Sequence, residues 1–143
     1  MPRLKLKPLD HYSYTTDIPV RISDLNYGGH LGYDRLLSMV HQARYLFLTH
    51  HGLSEENFGG VSLIMGDTAI VYQGEAFAGD VLRFEAAADE PSRCGFRMFF
   101  RITRPADGQA IALVENGLAC FNYDTRAIQP LPEAVRSILS GRE

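Results

Sequence analysis

The chain has little of several things that would narrow its role at once. It has no run of about 18 consecutive apolar residues, which excludes a membrane-spanning helix. Its start, Met1 to Asp10, carries Arg3, Lys5 and Lys7 without the apolar stretch of a signal peptide. Charge of one sign is scarce as well: the formal net charge is −3, and no clustered basic stripe suits a phosphate backbone, which argues against nucleic acid. The two cysteines, Cys94 and Cys120, both lie in apolar strand-like runs and read as buried thiols in a reducing compartment instead of a bridge. Repeats, low-complexity tracts and linkers are also missing. What is there is 143 residues with 45% apolar content, enough for one domain spanning 1–143 with a core of its own. The expectation is a soluble cytoplasmic protein with neither nucleic acid nor membrane as partner.

Periodicity divides the chain into elements. Tyr12, Tyr14, Thr16, Ile18, Val20 and Ile22 fall on one parity, the pattern of a strand with one buried face. Leu36, Val40, Ala43 and Phe47 then recur at intervals of four, three and four, which places them on one face of a helix. That helix is expected from near Leu31 to about Thr49, with His50 and His51 at the negative end of its dipole and Gly52 as a left-handed cap. Between strand and helix, Gly28, Gly29 and Gly32 allow a sharp turn that brings backbone amides close to a ligand. A helix start also presents unpaired N–H groups and the positive end of a dipole, suited to an anion or a polarised carbonyl.

Beyond the helix, Ser54-Glu55-Glu56 looks like the first turn of a short helix ending at Gly59-Gly60. Strands are expected over Val61 to Gln73, with an interruption at Gly66-Asp67, over Asp80 to Ala88, over Arg93 to Arg104 and over Ala110 to Tyr123. Pro105-Ala106-Asp107-Gly108 is a turn between the last two. Pro132, Glu133, Val135, Ile138 and Leu139 suggest a short closing helix. Strands joined by hairpin-length turns cannot be parallel neighbours, so the class is α+β: an antiparallel sheet with the long helix on one face. The other face stays partly apolar and is expected to need a partner.

The run Ser23-Asp24-Leu25-Asn26-Tyr27-Gly28-Gly29-His30-Leu31-Gly32, entering the helix Asp34-Arg35-Leu36-Leu37-Ser38-Met39-Val40-His41-Gln42-Ala43-Arg44, resembles the hot-dog thioesterases of the 4-hydroxybenzoyl-CoA thioesterase family. Those proteins commonly show Ser-Asp-x-Asp-x-x-Gly-His-Val-Asn-Asn before a helix ending in Glu-Ala-Arg. Gly79-Asp80 after Tyr72-Gln73-Gly74-Glu75-Ala76-Phe77 resembles a second, weaker signature, and the likeness spans roughly residues 14 to 125. It implies a hot-dog fold, an antiparallel sheet of about five strands wrapped around one long central helix. It further implies a homodimer or tetramer with acyl-CoA bound between subunits, and hydrolysis of the thioester to a carboxylic acid and CoA without metal or redox cofactor.

Such chemistry needs a carboxylate to attack or to deprotonate water, and donors for the developing oxyanion. The family's second acid falls on Asn26, whose neutral amide can orient water or hydrogen-bond a substrate but cannot take a proton. Either of two carboxylates can stand in: Asp24, which can equally be a turn cap, or Asp34, which can equally stabilise the helix start. The Tyr33 N–H falls where the family has its oxyanion donor, and His30 either orients the thioester or serves the loop's structure. The candidate site is therefore Asn26, His30, Tyr33 and Asp34. Asp34, Ser38, His41 and Tyr45 share a second helical face, either solvated or lining an acyl pocket. His41, His50 and His51 lack the further ligands of a metal set. Arg93, Arg97, Arg101 and Arg104 either meet CoA phosphates or form a solvated strand face. A domain that binds acyl-CoA without hydrolysing it is the alternative to an enzyme; a lyase or dehydratase lacks the paired His and Asp it would need.

Overall fold

A computed structural model describes residues 3–140, the side chain of Ser140 excepted. The expected domain limits, 1 and 143, lie outside the described residues. Among these residues the strands are β1 (Tyr14–Pro19), β2 (Ser62–Tyr72), β3 (Val81–Asp89), β4 (Gly95–Arg104), β5 (Gln109–Asn122) and the two-residue β6 (Ala127–Ile128). Every pairing is antiparallel, in the order β1-β3-β4-β5-β2 with β6 beside β5. One long helix, α1 (Tyr33–His50), packs against one face of the sheet. This is the expected α+β architecture.

The alternation read in the sequence is what gives the sheet an apolar face for the helix. Leu82, Phe84, Ala86 and Ala88 of β3 and Phe96, Met98, Phe100 and Ile102 of β4 are all buried against Leu36, Val40, Ala43 and Phe47 of α1. Full burial of a Phe or Leu here contributes about 1.5–3 kcal/mol, so Phe47, Phe84 and Phe100 anchor helix to sheet. The interruption expected in β2 is present as a register shift between Met65 and Asp67. The closing helix is a 3-10 helix, Glu133–Ser140, whose Val135, Ile138 and Leu139 are buried.

Several expectations are corrected. The helix starts at Tyr33, not Leu31, because Leu31 bridges Leu25 and spends its N–H on the Ala76 carbonyl, 2.7 Å away. Ile22 is 78% exposed in a 3-10 turn, Ile22–Asp24, because the strand ends at Pro19 and its parity with it. Residues 54–60 form bends, not a helix: Ser54 exchanges both its N–H and its Oγ with the backbone of Asn57, and the Glu55 carbonyl accepts the Leu63 N–H at the start of β2.

The outer sheet face is not an apolar surface awaiting a partner. Ala87, Phe99 and Leu113 on it are already buried, and the positions around them hold ion pairs: Arg83 with Asp17, Arg101 with Glu85, and Arg97 with Asp67 and Glu115. Tyr12 lies over Arg101, its ring centroid 5.0 Å from the guanidinium carbon, which carries the N-terminal segment across this face. Among the described residues, no helix is long and apolar enough to cross a membrane.

Candidate functional site

The loop between β1 and α1 is pinned at each end. Val20 and the Gly79-Asp80 turn exchange two backbone hydrogen bonds, 2.8 and 2.9 Å, and the Gly32 N–H reaches the Asp24 carbonyl at 3.0 Å. Between them the chain reverses over Asn26 to Gly29. Asn26 Oδ1 accepts the Gly28 N–H at 2.9 Å, the Asn26 carbonyl accepts that of Gly29 at 3.1 Å, and Gly29 takes the left-handed backbone, φ 79°, that favours glycine. The first intrahelical bond of α1 runs from the Leu36 N–H to the Gly32 carbonyl, 3.0 Å. The amides of Tyr33, Asp34 and Arg35 precede it, and no acceptor meets them among the described residues.

Beside this helix start lies a cavity of about 320 Å³ with Asn26, His30, Tyr33, Tyr72, Glu75 and Ile111 in its walls. Leu31, Leu36 and Ala76 complete a mostly apolar interior. His30 Nδ1 is 3.2 Å from the Leu31 carbonyl, an acceptor, so Nδ1 carries the proton and Nε2 is bare in the neutral ring. Nε2 faces Glu75 Oε2 at 3.6 Å. The Tyr72 hydroxyl donates to the Tyr33 carbonyl at 3.1 Å, and burial first, then Tyr33 and Asp34, push its pKa up so that it stays protonated.

Of the four expected site residues, Asn26, His30 and Tyr33 share this cavity, while Asp34 lies beside it. The exposed Asp34 carboxylate folds back over Gly32, where an added Cβ would stand 2.8 Å from Oδ1. Asp24 is a cap: its buried carboxylate accepts the Arg21 N–H at 2.8 Å and the Arg21 guanidinium at 3.4 Å, and it lines a different depression with Ser38 and Gln42. The polar helix face is exposed at Asp34, Ser38, His41 and Tyr45, with His41 Nε2 2.9 Å from Glu55. Arg97, Arg101 and Arg104 are neither free phosphate receivers nor merely solvated, since each is paired with acids on neighbouring segments. Their pKa values rise chiefly through those hydrogen bonds. Among the described residues, no three His, Cys, Asp or Glu side chains converge to hold a metal ion.

Tyr72 and Glu75 had no role assigned from the sequence. They stand some forty residues beyond the loop, and only the pairing of β2 with β5 and the return of Ala76 to Leu31 bring them to it. The one available signal was their place in the weaker second signature.

A sequence model described as the thioesterase-like superfamily matches residues 20–139. The chain belongs to that superfamily. A 1,4-dihydroxy-2-naphthoyl-CoA hydrolase of Synechococcus elongatus is 28% identical over 124 residues, covering 84% of this chain and 90% of that protein. Two solved structures share the fold of this superfamily member. One is a 1,4-dihydroxy-2-naphthoyl-CoA thioesterase from Synechocystis, with a TM-score of 0.80 at 22% identity over 88% of this chain and 94% of that one. The other is a gentisyl-coenzyme A thioesterase, with a TM-score of 0.75 at 16% identity over 89% and 100%. The fold is thus the expected hot-dog fold, and thioester hydrolysis is supported by the superfamily membership and by the activity named for the Synechococcus relative.

Proposed function

We propose that the protein hydrolyses an acyl-CoA thioester to a carboxylic acid and CoA in the cavity at the start of α1. The observation that carries this reading is an 18-residue helix whose first residue, Tyr33, lines a mostly apolar cavity and has no acceptor for its N–H among the described residues, in a thioesterase-like chain. A thioester carbonyl oxygen set against that amide gains a donor as it becomes an oxyanion. Asn26 adds a second donor: its Oδ1 is taken by Gly28, which leaves the Nδ2 hydrogens for the same oxygen. Asp34 holds the helix start in place, and His30 is the proton carrier.

The apolar walls suit a hydrophobic acyl group, and the relatives' aromatic acyl-CoA substrates make aryl-CoA esters the first to test. Two or four copies associate. Tyr33, Leu37 and Tyr45 on α1 and Met65 and Tyr72 on β2 leave large apolar side chains exposed beside an 11-residue edge strand.

Free-thiol release from a panel of aryl-, short- and long-chain acyl-CoAs tests the reading. Turnover of at least one is expected. Calorimetric binding of these esters with no thiol release would replace the enzyme by an acyl-CoA-binding domain, a role that Asn26 in place of an acid would suit.

A further inference from the structure

The site as described has donors for an oxyanion and a histidine, but the carboxylate that thioester hydrolysis ordinarily draws on is missing from the loop. Asp24 is spent on Arg21, and Asp34 lies outside the cavity wall. Among the residues lining the cavity, one side chain carries a carboxylate, and it is Glu75. We propose that Glu75 and His30 together activate the attacking water, with Glu75 supplying from the β2–β3 connection the negative charge that Asn26 lacks. This rests on the hydrolase reading above and deepens it.

The geometry is specific. In the neutral ring, with Nδ1 donating to the Leu31 carbonyl, the bare Nε2 of His30 lies 3.6 Å from Glu75 Oε2. Two acceptors at that separation do not bond each other; a water that gives one hydrogen to each satisfies both and turns its lone pairs outward. The Glu75 side chain is 64% exposed and that of His30 35%, so the water is replenished from solvent after each turnover.

The main chain of Glu75 is nevertheless fixed. Arg104 Nη1 donates to its carbonyl at 3.0 Å while also meeting Asp80 Oδ2 at 2.9 Å, the Gly74 N–H reaches the Ile111 carbonyl at 3.2 Å, and Ala76 accepts the Leu31 N–H at 2.7 Å. Gly74 is required for this course, since a Cβ there would lie 2.5 Å from the Ala110 carbonyl oxygen. Tyr33 and Tyr72 share the cavity wall with the pair, Asp34 acts on Tyr72 from the helix start, and Arg104 of β4 reaches the main-chain carbonyl of Glu75.

The step balances within the site. One water hydrogen passes to His30 Nε2 as the water oxygen bonds to the thioester carbon, and the carbonyl electron pair moves onto oxygen, facing the Tyr33 N–H. The new imidazolium then donates through Nε2 to Glu75, which holds its charge. Collapse of the tetrahedral intermediate breaks the carbon–sulfur bond, and the departing thiolate takes the proton from Nε2. The carboxylic acid and CoA thiol are the products, and the pair returns to its starting state.

Steady-state thiol release with benzoyl-CoA, or with whichever panel ester turns over fastest, tests the proposal in the full-length protein. Glu75→Gln and His30→Gln are each expected to lower kcat by about 10²-fold, the range of a lost general base, with KM little changed. The double variant should be no worse than the weaker single one. Glu75→Asp should recover part of the loss, and Glu75→Gln should move the acidic limb of the kcat/KM profile, which a merely structural role would not do. Unchanged kcat and pH profile in Glu75→Gln, with an active wild type, would overturn the proposal and leave the hydrolase reading standing. A wild type that releases no thiol from any ester of the panel would overturn both.

Discussion

At Asn26 the side-chain oxygen is already committed to the Gly28 N–H at 2.9 Å, so the amide nitrogen is the half that can act. On the proposed mechanism Asn26 is therefore a donor. Asn26→Ala is expected to lower kcat by about 10²-fold, the loss seen when one oxyanion donor is removed. Asn26→Asp keeps the turn bond but replaces N–H by a second negative oxygen, so it should also lose activity; a gain in kcat measured by thiol release would show that the position wants a base. Cys120 gives a second prediction at this scale. It is fully buried, and burial, with a smaller contribution from Cys94, pushes its thiol up from 9.0 to about 11. The folded chain therefore keeps a proton that the unfolded chain releases, so this contribution is complete below pH 9 and is lost as pH rises toward 11. Urea midpoints between pH 8 and 11 should fall in the wild type and fall less steeply in Cys120→Ala.

Where α1 meets the sheet, a polar chain crosses three elements. Arg44 Nη1 donates to Asn116 Oδ1 on β5 at 3.0 Å, and Asn116 Nδ2 donates to Thr68 on β2 at 3.2 Å. Burial lowers the Arg44 pKa, and Glu55, 3.5 Å from Nε, acts against that. Arg44→Met keeps the volume but strands the buried Asn116 oxygen, and should cost about 1–3 kcal/mol in urea unfolding. Arg44→Met with Asn116→Leu should cost less than the sum of the singles. None of this link was legible in the sequence, where Arg44 is one of two arginines in the helix and closes the family-like motif without an assigned contact. The apolar positions of α1 and the parity of β3 and β4 were legible, because burial on one face imposes a period that survives in one dimension. Ser54 to Gly60 misled for the opposite reason: a serine followed by acids suits a helix start, yet Glu55 uses its carbonyl on Leu63.

Over the whole molecule, Arg97 and Arg101 join Arg83 in cross-strand pairs over the outer sheet face while Arg104 pairs with Asp80 and Asp107, and the exposed side chains of Tyr33, Leu37, Tyr45, Met65 and Tyr72 lie on the α1 and β2 side. The proposed association through that side predicts a mass by light scattering of two or four times that of the 143-residue chain; a monomer at assay concentration would remove it. Met65→Lys, which adds charge at the exposed part of the β2 edge, should weaken the assembly while leaving the far-UV spectrum unchanged.

The sequence by itself determined the buried face of α1, the alternation of β3 and β4, the antiparallel α+β class and the glycine-bearing turn ahead of Tyr33, because these follow from local periodicity and backbone freedom. Only the tertiary structure decided which carboxylate stands at that turn. Asp24 and Asp34 are near in sequence yet point elsewhere, whereas Glu75 arrives from beyond β2, held there by Arg104 and by the contact of Ala76 with Leu31. Such a meeting depends on how the sheet folds back on the helix, and no spacing along the chain records it.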